Sequence, residues 1–455
     1  MKNLLLVLLL CSAACGGGSK SADGGTFLDN DAALFAQAKV DFDAKRFSVA
    51  RGEFQELLSR FGTGGFAAQS YVYVAICDLL LGNPATANTE LKAFATKYPN
   101  NPDADRAGYW LGRSDYALND YRQAVLDFEA VLTQYPTSSY RDNAELWLGR
   151  SRYNLIPPQY DQALLDFKKV IADFPRGSVA PEAQFWIGRT YFQRGDYVNA
   201  RAELSLQLST YPGSPFADEV NIYLGRVDLD TGNPAAAKTR LQSVLDKFPA
   251  SAHLDEATYW LGRANFDLLD YAGALAQFQH LLVAWPQSNL ADNASYWVGR
   301  CLFAQGQFAN ALTQFQSVEQ TYPNSNVRDL IIGYEGRSQF ELGSYAAAKT
   351  TFDRHLALYE PLLSAEMVHH WRGRALYALM QLQPALVDFQ TVITTFPTSV
   401  WLDPSYQYQV ESYADVPDCT NANAAYGEFK LKLPNSALLP PTCTYRVSKC
   451  GGTCP

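Results

Sequence analysis

The amino-acid sequence predicts an all-α solenoid of about eleven helix pairs with a period of 37 residues, and three observations carry that prediction. Gly-Arg recurs in register at Gly112-Arg113, Gly149-Arg150, Gly188-Arg189, Gly225-Arg226, Gly262-Arg263, Gly299-Arg300, Gly336-Arg337 and Gly373-Arg374. An aromatic-Pro pair recurs in the same register, from Tyr98-Pro99 and Tyr135-Pro136 through Tyr322-Pro323 to Phe396-Pro397. Each interval holds two apolar-periodic stretches split by a polar break such as Asn119-Asp120. A fixed period of this size means stacked units, none of which buries its apolar face alone. The one irregular interval, 39 residues between Gly149 and Gly188, holds two extra residues around Pro157-Pro158, which lengthen a loop and leave the later register intact.

The chain opens with Met1-Lys2-Asn3, a short basic start, then the apolar run Leu4 to Leu10 and the small residues Ser12-Ala13-Ala14 before Cys15. Residues 1–14 therefore read as a bacterial lipoprotein signal peptide, with Cys15 as the lipidated residue. The alternative is an ordinary secretory peptide cut nearby, and Cys11 lacks the preceding small residues. The apolar run is too short to span a bilayer, so a membrane is expected to be met through the N-terminal lipid only. Residues 15–30, beginning Gly16-Gly17-Gly18-Ser19, read as a flexible polar tether.

Residues 31–435 hold the repeats, including degenerate copies centred on Ala38, Ala75 and Val410. An acidic residue seven positions before the Gly (Asp105, Asp142, Asp218, Asp255, Asp292, Asp329, Glu366) opens the first helix, where a carboxylate suits the positive helix end. Pro181 holds that place once, which also suits a helix start. The second helix carries a small Ala (Ala124, Ala163, Ala200, Ala237, Ala274, Ala311, Ala348, Ala385) and is stopped by its closing Pro. This Gly, Ala, aromatic and Pro pattern resembles the tetratricopeptide repeat, whose usual period is 34. The longer form, with its YWLGR, GDY and YPNS phrases, resembles the repeats of BamD-like and YbgF-like bacterial outer-membrane lipoproteins. That resemblance implies a right-handed solenoid. Gly16, rather than Asp, after Cys15 resembles the start of lipoproteins sorted to the outer membrane.

Counting the Gly as position eight, positions three, seven and ten of the first helix carry small or aliphatic residues, and positions five, eight and twelve carry bulky, Gly, bulky. Both stripes read as packing faces. The remaining stripe is expected to see solvent. Its position six is Trp110, Trp147, Trp186, Tyr223, Trp260, Trp297, Tyr334 and Trp371, and its position nine is Arg113, Arg150, Arg189, Arg226, Arg263, Arg300, Arg337 and Arg374. The resemblance puts first helices along a concave groove, and Trp and Arg are enriched at binding hot spots. A structural reading stands beside this one: Trp and Arg on successive helices can stack as cation-π pairs that staple repeat to repeat.

Cys419, Cys443, Cys450 and Cys454 crowd the C-terminal end, residues 436–455 forming a Cys-rich tail. In an exported chain an even cluster reads as two disulfides, with three connectivities open. Zinc has no matching CxxC pair or nearby His in its favour. Cys77 and Cys301 lie in apolar helical text and read as small buried residues. A formal net charge of −9 argues against nucleic acid as a partner. The five His include His369-His370, helical neighbours that point apart, and no HExxH or phosphate loop occurs. No metal, no cofactor and no catalysis are expected.

The chain thus reads as a lipid-anchored, periplasm-facing scaffold of the outer membrane that binds protein or peptide partners in envelope biogenesis. The alternative is a glycan or peptidoglycan module that uses the Trp row, which exposed Trp faces would favour. An envelope enzyme resembling the superhelical part of lytic transglycosylases is the remote alternative.

Overall fold

The structure, a computed structural model, describes residues 30–360 and 364–454; the signal peptide, Cys15 and nearly all of the tether lie outside them. Twenty-three α-helices and no strand are found among the described residues. They cluster in two compact blocks, Met1–Phe216 and Ala217–Pro455, although the register runs through that division without a linker.

The first block holds the pairs α1 (Asp31–Asp43) and α2 (Phe47–Arg60), α3 (Ala67–Leu80) and α4 (Pro84–Lys97), α5 (Ala104–Ala117) and α6 (Tyr121–Gln134), α7 (Arg141–Asn154) and α8 (Tyr160–Asp173), α9 (Ala180–Gln193) and α10 (Tyr197–Thr210). The second holds α11 (Ala217–Asp230) and α12 (Pro234–Lys247), α13 (Leu254–Asp267) and α14 (Tyr271–Ala284), α15 (Ala291–Ala304) and α16 (Phe308–Thr321), α17 (Arg328–Glu341) and α18 (Tyr345–Tyr359), α19 (Ala365–Ala378) and α20 (Leu382–Thr395), α21 (Leu402–Asp415) and α22 (Cys419–Lys432), then a lone α23 (Leu439–Cys450). Within each block every helix packs on the next, which is the α-solenoid of helix pairs that the period demands.

The turn inside each pair is built from local chemistry. A residue in the left-handed region, Asn119, Gly195, Leu269 or Gly306, ends the first helix. Asp120, Asp196 and Asp270 then cap the second helix, their carboxylates accepting from the amides of Gln123, Asn199 and Gly273 at 3.1, 3.2 and 2.9 Å. Between α7 and α8 the loop runs over residues 155–159, against 118–120 between α5 and α6, so the two extra residues are absorbed there.

The Gly of position eight is explained by the second helix of its own pair. A Cβ on Gly112, Gly149, Gly262, Gly299, Gly336 or Gly373 would stand 2.5–2.7 Å from the Cε1 of Phe128, Phe167, Phe278, Phe315, Phe352 or Phe389. In the Gly188 and Gly225 repeats the neighbour is Leu204 or Leu241. Those aromatic and leucine side chains are fully buried, so the glycine notch sets how closely the two helices approach.

The C-terminal segment is not a loose tail. α23 packs on α21 and α22, burying Leu439 and Cys443, and two disulfides join Cys419 to Cys450 and Cys443 to Cys454. The leading face of α23 closes the apolar surface that α21 and α22 would expose at the end of the array.

Candidate binding surface

Positions six and nine form an alternating stack of rings and cations. In the first block the Arg113 guanidinium sits 3.8 Å from the Trp147 ring centre, in the next repeat. Arg150 sits 3.7 Å from Trp147 and 5.0 Å from Trp186, and Arg189 4.5 Å from Trp186. In the second block Arg226 lies between Tyr223 at 4.8 Å and Trp260 at 4.7 Å. Arg263 faces Trp297 at 4.1 Å, Arg300 faces Tyr334 at 4.2 Å, Arg337 lies 4.7 Å from both Tyr334 and Trp371, and Arg374 faces Trp371 at 4.2 Å. Arg113, Arg150, Arg226, Arg263, Arg300, Arg337 and Arg374 thus each join their own repeat to the next, and each such contact is worth about 0.5–2 kcal/mol.

The expectation that this stripe faces solvent is corrected. Trp186, Tyr223, Tyr334 and Trp371 are buried, while Trp110, Trp147, Trp260, Trp297 and all eight arginines are only partly exposed. The cause is the bulky residue at position twelve, which reaches forward and meets the position-six ring of the following repeat edge-on. Tyr116 meets Trp147 at 4.9 Å, Tyr153 meets Trp186 at 5.1 Å, Phe266 meets Trp297 at 4.9 Å and Phe340 meets Trp371 at 5.1 Å. Second-helix phenylalanines add to this: Phe167 stacks on Trp186 and Phe278 on Trp297. A sugar needs an open ring face, and here those faces are taken by guanidinium groups and neighbouring rings.

The arginines differ in their counterions. Arg150 pairs with Glu182 at 2.9 Å and Arg226 with Glu256 at 3.2 Å, each glutamate standing at position two of the following repeat. The same glutamates accept from the indoles of Trp186 and Trp260 at 3.2 and 3.4 Å. Arg113 and Arg300 donate instead to tyrosine hydroxyls, Tyr109 at 3.0 Å and Tyr296 at 2.8 Å. Burial, opposed by the Arg300 charge, pushes the Tyr296 phenol up to about 12.

A second repeating contact was not read from the sequence. The hydroxyl of Ser138 donates to Asp105 at 2.6 Å, Ser288 to Asp255 at 2.6 Å, Ser325 to Asp292 at 2.7 Å, and Ser251 to Asp218. Each serine also accepts from an amide two residues on, at Tyr140, Leu290, Val327 and His253. The acidic helix start is therefore a latch to the following repeat as well as a partner of its helix end. The signal was present: each serine closes a YPxS-like phrase 33 residues after its aspartate.

His369 bonds Asp388 at 2.8 Å and His370 bonds Ser405 at 2.9 Å, so the two rings do point apart. No group of metal-ligating side chains and no helix long and apolar enough to cross a membrane occur among the described residues. Cys77 and Cys301 are buried free thiols, both pushed up to about 12 by burial. Cys15 lies outside the described residues.

The outer membrane lipoprotein family YfiO matches residues 29–155, and tetratricopeptide-repeat families match 158–215, 224–289 and 293–325. The comparison with curated proteins returns no match. Among solved structures, the human IFIT1 dimer with PPP-AAAA is similar at 14% identity and a TM-score of 0.51, covering 84% of this chain and 90% of that one. A tetratricopeptide repeat protein from Parabacteroides merdae is similar at 17% identity and a TM-score of 0.46, covering 60% of this chain and all of that one. At such identity the IFIT1 likeness speaks for the fold alone.

Proposed function

We propose that this chain, which belongs to the tetratricopeptide-repeat family and is BamD-like at its N-terminal end, is a lipid-anchored scaffold that faces the periplasm from the outer membrane and holds envelope proteins or peptides together. Tetratricopeptide and BamD-like repeats make protein-interaction scaffolds, and the described residues are wholly given to such repeats and their cap. The observation that carries the reading is the match of residues 29–155 to an outer membrane lipoprotein family, directly after a sequence whose Cys15 has the setting of a lipidation site. No catalytic role is assigned to any residue.

Two experiments test it. Cys15→Ala is expected to move the protein from the membrane to the soluble periplasmic fraction, because two or more acyl chains hold stably where none remains. Retention of the variant in the membrane at the wild-type level would overturn the anchor. Crosslinking in whole cells, followed by capture from detergent-solubilised envelopes, is expected to recover the same envelope proteins reproducibly. Recovery of none would overturn the scaffold.

A further inference from the structure

Among the described residues the arginine row has no ion pair at Arg113, where Asn143 holds position two of the next repeat, and has none again over the four consecutive repeats from Arg263 onward. The glutamate that pairs with Arg150 or Arg226 stands at position two of the next repeat, but for Arg263, Arg300 and Arg337 that place is held by Asn293, Leu330 and Met367, and for Arg374 by Pro404. Among the described residues no carboxylate lies within ion-pair distance of these four arginines. Asp267, near Arg263 and Arg300, and Glu341, near Arg337, act only through space. The Nε atoms of Arg263, Arg337 and Arg374 are buried without a hydrogen-bond partner, as is that of the glutamate-paired Arg150, and the side chains of Arg263, Arg300, Arg337 and Arg374 are all partly exposed. Burial pushes the Arg337 guanidinium below its usual value, and the Arg300 charge acts in the same direction. Partly buried cations demand partners, and these four consecutive repeats supply ring faces and, for Arg300, the Tyr296 hydroxyl, but no carboxylate within ion-pair distance among the described residues.

We propose that Arg263, Arg300, Arg337 and Arg374 form a binding row for an acidic polypeptide segment, whose carboxylates take the places that Glu182 and Glu256 fill for Arg150 and Arg226. The inference rests on the scaffold reading and names the partner's chemistry. Guanidinium edges held between rings suit a small planar carboxylate, taken by two parallel N–H donors. Neighbouring helices lie about 10 Å apart, and an extended chain advances about 3.3 Å per residue, so an acidic residue at every third position matches one arginine per repeat. A chain with a net charge of −9 disfavours a dense polyanion, which would meet repulsion beyond the row itself.

The test uses the full chain in detergent and a labelled twelve-residue peptide with glutamate at positions 1, 4, 7 and 10 (about one per 10 Å of extended chain), read by fluorescence anisotropy. Its glutamine analogue and inorganic polyphosphate serve as comparators. The glutamate peptide is expected to bind, weakening with salt, and the glutamine analogue to bind about tenfold more weakly or worse. Asn293→Glu with Leu330→Glu, which supplies the missing counterions, is expected to weaken the glutamate peptide by a similar factor without lowering the melting temperature. Asn293→Glu alone, at a partly exposed polar position, keeps the test open if the leucine change disturbs packing. Equal binding of the two peptides, binding of neither, or unchanged binding to a folded Asn293→Glu variant overturns the row. Tighter polyphosphate binding that the same substitutions abolish also overturns it and reassigns the row to phosphate polymers. Envelope partners still captured by the double variant would leave the scaffold reading standing while the row falls.

Discussion

Replacing Gly299 with alanine sets two known effects against each other at one atom. Alanine in a helix interior is favoured over glycine by about 1 kcal/mol, because less backbone entropy is lost on folding. The added Cβ, however, would stand 2.5, 2.8 and 2.9 Å from Cε1, Cζ and Cδ1 of Phe315. That ring is fully buried, with Tyr296 at 6.0 Å and Tyr334 at 5.8 Å, so it has no rotamer to retreat into. Overpacking of this kind costs about 1–3 kcal/mol, and three contacts below 3.0 Å on a rigid ring argue for the upper part of that range. Gly299→Ala is therefore expected to destabilise the second block by about 1–2 kcal/mol net. Gly52 in α2 and Gly427 in α22 are helical glycines whose Cβ would meet nothing within 4 Å. Gly52→Ala and Gly427→Ala should each stabilise by about 0.5–1 kcal/mol. Urea unfolding of the three variants, followed by tryptophan fluorescence, reads the sign directly. A Gly299→Ala protein as stable as Gly52→Ala would refute the claim that the glycine register exists to seat the second-helix aromatic.

Arg150→Ala removes the stack on Trp147 and leaves Glu182 without its cation, so it is expected to cost about 1–3 kcal/mol in the same urea assay; an unchanged midpoint would deny the staple. Mild acid should act oppositely on two regions. Asp127 is held above the usual carboxylate range by burial and then by Asp115 beside it, so the folded state binds its proton first and stability there rises as pH falls toward ordinary carboxylate values. His355 and His370 are pushed down to about 4 and about 3 chiefly by burial, so stability present above the usual histidine range is lost as pH falls from near 6.5 toward those values. Hydrogen exchange at pH 7 and pH 5 should show α5 and α6 better protected at the lower value, and α18 and α19 less protected; parallel shifts would contradict the assignment. Reduction of Cys419–Cys450 and Cys443–Cys454, which close 31 and 11 residues, should remove about 3–4 kcal/mol per bridge from the α21 to α23 end alone. Loss of protection in the first block on reduction would show that the cap is not local.

The sequence by itself determined the period, the helix pairing, the place of the two extra residues near Pro157 and the expectation of two disulfides among the four C-terminal cysteines. It could do so because each of these is local: a Gly or Asn that ends a helix, an Asp that caps the next, a Pro that stops it, repeated until chance is excluded. It also narrowed the candidate surface to the Trp and Arg positions, since the other two stripes of the first helix are visibly apolar or glycine-notched. Which face those residues meet was not legible. Position six reads as polar-flanked and free on its own helix, yet the Tyr116 or Phe266 that covers it comes from the preceding repeat. The hydroxyl of Ser138 on Asp105 and the carboxylate of Glu182 on Arg150 likewise join residues 33 and 32 apart, a separation that no helical wheel displays. Only the stacking distance of the repeats brings such pairs together. Tertiary structure alone therefore decided that the arginines stack on the next repeat's rings throughout, with an ion pair added where Glu182 or Glu256 follows and no such pair where Asn293, Leu330 or Met367 takes its place.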